Sequence, residues 1–171
     1  MEVIMENIPL TCTLIGALGI IYSLIVAGMI KTAPTGTEKM VEIANAIQEG
    51  AIAYLNRQLK TIVIVGIAIF IIIFFSLGTT TAVGFAVGAV ASYLAGYIGM
   101  RVSVLANIRT AEAAKSGLSA GLKMAFRGGS VTGMLVAGLA LTAIAGFYTA
   151  VEDVVPLVAL GFGGSLISIF A

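Results

Sequence analysis

The 171-residue chain is 60% hydrophobic and only 10% charged, and its mean hydropathy of +1.13 lies far outside the range of water-soluble domains. A soluble fold of this length could not withdraw that much apolar surface from water. The net charge of +1 supplies no overall field for nucleic acid or an acidic partner, and the single Cys12 excludes an intrachain disulfide.

Four stretches carry no charged residue: Asn7 to Ile30, Thr61 to Met100, Gly128 to Val151, and Val154 to Ala171. A membrane-spanning helix needs about 20 apolar residues at about 1.5 Å each. The first and third stretches therefore hold one span apiece. The second is twice too long, and Leu77-Gly78-Thr79-Thr80-Thr81, a glycine followed by poor helix formers, divides it at a tight turn. The predicted fold is an all-α, polytopic membrane helix bundle of about five spans, near 8–30, 61–77, 81–100, 129–150 and 154–171. Glu2 and Glu6 stand where a signal peptide would be positive, so the first run reads as a retained span.

The loops orient the bundle. Lys31, Lys39, Arg57 and Lys60 fall in loop 31–60, and Arg101, Arg109, Lys115, Lys123 and Arg127 in loop 101–127, which places all nine basic residues on one side. The other side carries Glu2, Glu6, Glu152 and Asp153. The positive-inside rule puts both long loops in the cytoplasm, the N-terminus outside and Ala171 at the cytoplasmic face, in a multi-pass protein of the cell membrane.

Both loops have helical patterning. Thr35-Gly36-Thr37-Glu38 has capping-box spacing, and Met40, Ile43, Ile47, Ala51 and Tyr54 follow at helical intervals into the second span. Ala111, Ala114, Leu118, Leu122 and Ala125 repeat the pattern, interrupted by Gly117 and Gly121. These helices extend the membrane helices and pack on neighbours, or else lie on the lipid surface. Small residues four apart, Gly84 and Gly88, Ser92 and Gly96, Gly129 and Gly133, mark candidate close approaches, read as packing within one protein.

No catalytic apparatus is legible in these residues. Pumps place ionisable side chains inside their spans, and these spans contain none. Glu38, Glu42, Glu49 and Glu112 are scattered over two loop helices with no aspartate beside them, unlike the clustered carboxylates that hold magnesium. Arg127-Gly128-Gly129-Ser130 is too short for a phosphate-cradling loop. Thr11, Thr13, Ser23, Ser92, Thr132 and Thr142, the polar residues a solute channel would need, are scattered.

The local wording carries more. Gly36 to Ala51 (GTEKMVEIANAIQEGA), Tyr54 to Gln58 and Lys60 to Ile62 resemble the first cytoplasmic loop of the membrane-bound, ion-translocating inorganic pyrophosphatases. Gly88-Ala89, Ala95 to Met100, Val102 to Val104, Ala106-Asn107, Arg109 to Ala111 and Ala125 to Gly129 are similar to the same family in the same order, and Ala159 to Ala171 looks like its fifth helix. Leu105 departs from the pattern, the family commonly having arginine there, and Arg101 is basic where the family often is not.

The resemblance implies an enzyme that hydrolyses pyrophosphate with Mg²⁺ on the cytoplasmic side and moves H⁺ or Na⁺ outward. It implies a homodimer of about sixteen helices per subunit, in which the first four spans here belong to an outer ring and the fifth is the first inner helix. The family's catalytic motifs begin just past the segment matching Phe170-Ala171, so the chain reads as an N-terminal fragment, inactive alone, with no catalytic residue and no metal ligand of its own. One position carries over: Ser165 lies where the family places a serine beside the ion gate, and the alternative is a hydroxyl returned to the backbone carbonyl four residues earlier. The wording of the fifth run leans to the potassium-independent, proton-pumping branch. The rival reading is a stand-alone scaffold or assembly subunit of a membrane complex, without catalysis.

Overall fold

The computed structural model describes the backbone of residues 2–169 and the side chains of 7–168. The described residues form five helices: α1 (Glu2–Lys31), α2 (Glu38–Leu77), α3 (Thr79–Ala114), α4 (Leu118–Val151) and α5 (Val154–Ile169). Four are long and apolar enough to cross a membrane, and Val154–Ser168 is a shorter apolar helix. The side chains of Glu2 and Glu6, and the whole of Ala171, lie outside the described residues.

The patterned loops are helical, and they lengthen the spans rather than standing apart. Helix α2 runs 40 residues without a break, about 60 Å at 1.5 Å per residue, against about 30 Å of hydrocarbon. Its N-cap is Thr37 and not Thr35: Glu38 is the first helical residue, and no side chain bonds the cap. A box on Thr35 would start the helix at Gly36, but Gly36 has φ 81° and the helix begins two residues later, so no box forms.

The turn at Leu77 to Thr81 is tighter than predicted. Gly78 alone separates α2 from α3, at φ 89° and ψ 172°, a conformation open to glycine because it lacks a Cβ. The threonines predicted in the turn are helical, since Thr81 Oγ1 donates to the Leu77 carbonyl at 3.1 Å and Ala82 N to the Gly78 carbonyl at 3.2 Å. The second loop breaks at Gly117, with φ 118°, while Gly121 is helical and buried in α4.

Helix α3 is the central mast. It packs on α4, α5 and α2, whereas α1 packs chiefly on α4. Two buried clusters mark its ends. Val102 and Ala106 meet Val26 and Ile30 of α1 and Val131 of α4 near the basic loops. Ala82 and Phe85 meet Ile73 of α2 and Ala159 of α5 near the Gly78 turn. Large side chains point outward, as with Ile64 at 69% and Phe75 at 81% exposure. That pattern suits lipid, which gives helices no hydrophobic reason to associate and leaves packing and close approach to hold them.

Glycine supplies the approach. A Cβ on Gly88 would collide with the Leu160 carbonyl of α5, one on Gly84 with the Pro156 carbonyl, and one on Gly163 with the Phe85 carbonyl of α3. The Gly84 and Gly88 pair therefore closes a contact inside this chain. Gly129 and Gly133 have open space around them. The α1–α4 seam uses Gly16, Gly19 and Gly138, where a Cβ on Gly138 would lie 2.7 Å from the Gly16 carbonyl oxygen.

A Gly88→Val substitution is expected to force α3 and α5 apart at a cost of about 1–3 kcal/mol, lowering the melting temperature in detergent by several degrees. Gly133→Ala, in open space, should stay within about 0.5 kcal/mol of the parent. Equal melting of the two variants would refute the close-packed seam.

Candidate functional site

The fifth helix begins where two acids turn the chain. Glu152 adopts the left-handed conformation (φ 53°) and its N–H donates to the Tyr148 carbonyl at 2.8 Å, ending α4. Asp153 Oδ1 accepts the Val155 N–H at 3.1 Å, an N-terminal bond of the kind that starts helices. Helix α5 then lies along the glycine face of α3, so that a groove of about 410 Å³ opens between α3, α4 and α5.

Ser165 lines that groove with Ser92 and Ser168 amid alanine, glycine and leucine. It is exposed, and among the described residues its hydroxyl has no bonding partner. Ser168 Oγ, by contrast, donates to the Ser165 carbonyl at 2.8 Å. Other membrane hydroxyls are returned to the backbone carbonyl four residues earlier: Thr11, Thr13 and Ser23 donate to the Asn7, Pro9 and Gly19 carbonyls at 2.8, 2.9 and 2.9 Å. Thr132 faces Gly99 of α3 and Thr142 faces Gly16 of α1. The scattered hydroxyls thus line no common path, and of the six named for a channel only Ser92 shares the Ser165 groove.

The acidic candidates do not converge. Glu38, Glu42 and Glu49 are exposed along the α2 extension, and Glu112 pairs with Lys115 at 2.5 Å. No group of three His, Cys, Asp or Glu that could hold a metal occurs among the described residues. The donor set of the described residues therefore does not fit Mg²⁺.

A residue counted in the sequence only as a loop charge proves to be built in. Arg109 is 8% exposed; Nη1 donates to its own helix at Leu105 O (2.7 Å) and Nη2 to Lys31 O (2.8 Å), the last residue of α1. A cation bonded to a terminal carbonyl also opposes the negative end of the α1 dipole. Nearby, Gly36 (φ 81°) leaves no room for a Cβ against the Glu112 carboxylate, so the α1–α2 connection lies on the end of α3. No sequence signal separates Arg109 from its neighbours, because the bond spans 78 positions.

An apolar, multi-pass helix bundle with basic loops is the class these features define. The sequence profile described as "Inorganic H+ pyrophosphatase" matches residues 17–171, and the chain belongs to that family. It is 46% identical over 98% of its length to the K(+)-insensitive pyrophosphate-energized proton pump of Methanosarcina mazei. It is 40% identical over 91% of its length to the K(+)-insensitive pyrophosphate-energized proton pump 2 of Moorella thermoacetica. A Clostridium tetani protein provisionally named a K(+)-stimulated pyrophosphate-energized sodium pump is 37% identical over 76% of the chain. The chain spans only 25%, 24% and 19% of these relatives.

Arg109→Met should remove the clasp between α1 and α3 and cost about 1.5–3 kcal/mol, the range for hydrogen bonds to charged groups. Arg109→Lys, able to reach one carbonyl, should recover part of the loss in a detergent melt. A methionine variant that melts like the parent would show that the clasp holds nothing.

Proposed function

We propose that this chain is the N-terminal part of a pump that couples hydrolysis of magnesium pyrophosphate to outward movement of H⁺, with Na⁺ as the alternative ion. The observation that carries the reading is 46% identity across 98% of the chain to a pyrophosphate-energized proton pump. The K(+)-insensitive names of that relative and of the Moorella protein support proton transport without potassium dependence.

In this reading α1 to α4 are supporting outer helices and α5 is the first inner one. The scarcity of chemistry in the described residues agrees with a supporting role, and the Mg²⁺ ligands and pyrophosphate-binding groups belong to other parts of the protein. The whole protein works as a homodimer in the cell membrane, with the nine basic residues on the cytoplasmic side. Ser165 stands beside the ion path, where an unbonded hydroxyl could orient a water or an ion.

Inverted membrane vesicles containing the full-length protein should acidify internally when magnesium pyrophosphate is added outside, which tests reaction and orientation together. The 171-residue chain alone should insert and hydrolyse none. Hydrolysis by the isolated chain would refute the assignment of catalysis elsewhere, and a full-length protein inert to pyrophosphate would favour the scaffold.

In the full-length protein, Ser165→Ala should lower the number of protons moved per pyrophosphate hydrolysed, by about twofold or more, with hydrolysis less affected; loss of a positioned hydrogen bond is worth about 1 kcal/mol. An unchanged ratio would remove Ser165 from the ion path.

A further inference from the structure

A second cavity of about 410 Å³ lies at the basic end of the bundle, where Lys31, Gln48 and Arg101 share its lining with apolar side chains that include Ile52, Leu55 and Leu105. We propose that it is a binding site for the phosphate headgroup of an anionic membrane phospholipid, in the leaflet next to the basic loops.

Height in the membrane is the first argument. Lys31 directly follows the uncharged run ending at Ile30, and Arg101 directly follows the uncharged run ending at Met100. Both cations therefore sit where hydrocarbon gives way to headgroups. The fold then brings them to one cavity: α1 packs on α4 and α2 on α3, so a groove remains over α3 between the α1 terminus and the α2 extension.

The chemistry of the walls is the second. Two cations and an amide offer donors to a phosphodiester, while the apolar wall suits the glycerol and upper acyl carbons. Basic pockets between membrane helices on the headgroup side have this recognition chemistry, and the volume is within the usual range for small-ligand sites, about 300–1,000 Å³.

Availability of the charges is the third. Among the described residues neither Lys31 nor Arg101 has a carboxylate within ion-pair distance; the one ion pair joins Lys115 to Glu112. Arg101 is steadied without being neutralised, its guanidinium lying 5.3 Å from the centroid of the Tyr97 ring. The Arg109 bond to Lys31 O holds the α1 terminus and so sets where the Lys31 side chain starts. A soluble anion would need only the cations; the apolar half of the cavity is what selects a lipid.

The test uses the full-length protein in detergent, offered phosphatidylglycerol and phosphatidylcholine in equal amounts and read by native mass spectrometry. The parent should hold phosphatidylglycerol in preference, and the Lys31→Ala/Arg101→Ala variant should hold one fewer tightly bound phosphatidylglycerol per chain. Each cation removed should weaken that lipid about fivefold, from about 1 kcal/mol per basic residue near an anionic surface. Lys39→Ala, a basic residue outside the cavity, should leave the count unchanged. Arg101→Lys, which keeps the charge, should retain the lipid and separate headgroup binding from a folding defect. No preference for phosphatidylglycerol in the parent, equal retention by the double variant, or displacement by millimolar inorganic phosphate would each overturn the proposal.

Discussion

Backbone-to-backbone approach along α3 is the constraint on which the rest of this structure depends. In lipid an apolar side chain gains nothing by turning inward, so helices associate only as far as their surfaces fit. Gly84 and Gly88 bring α3 against the Pro156 and Leu160 carbonyls, and Gly163 answers from α5. That seam sets the course of α5, and with it the groove that Ser165 lines. The Gly16 and Gly138 contact does the same for α1 on α4.

The two ends of the bundle are built differently. At the Gly78 end the chain reverses in one residue and uncharged side chains close the contact. At the neighbouring α4–α5 corner the Glu152 backbone N–H closes α4 and the Asp153 carboxylate accepts from the start of α5. At the basic end the helices continue past the hydrocarbon, and Arg109 ties the α1 terminus to α3 through a carbonyl. A buried guanidinium with two short bonds is tolerable there because the alternative is a carbonyl left without a donor at a helix end. At the same end Lys31 and Arg101 line a cavity, and among the described residues neither forms an ion pair.

Family membership and the sparse chemistry of these residues are compatible. The chain covers a quarter of its relatives, and its described part contains no metal-holding cluster. What the described residues do supply is a closely packed helix bundle with a groove between α3, α4 and α5. Scaffold and pump part are thus not opposites at the level of these helices, since the packing that would serve either is the same.

Composition and the uncharged runs were enough to determine by themselves that the chain is a bundle of membrane helices with basic loops, because burial of charge in hydrocarbon is costly enough to show in any order of packing. The helical extensions were legible too, from Met40, Ile43 and Ile47, since periodicity is a local property. Local spacing also marked Gly84 and Gly88, but it marked Gly129 and Gly133 equally, and only the tertiary structure separated a seam from open space. It alone decided that Thr37 rather than Thr35 is the N-cap of α2, that Thr79 and Thr81 are helical, and that among the described residues Ser165 keeps its hydroxyl unbonded while Ser168 does not. Arg109 and Lys31, and Lys31 and Arg101, are far apart along the chain and meet only through packing. Contacts of that kind leave no periodic trace in a sequence, because the partner's position is set by helix geometry and not by the residues between.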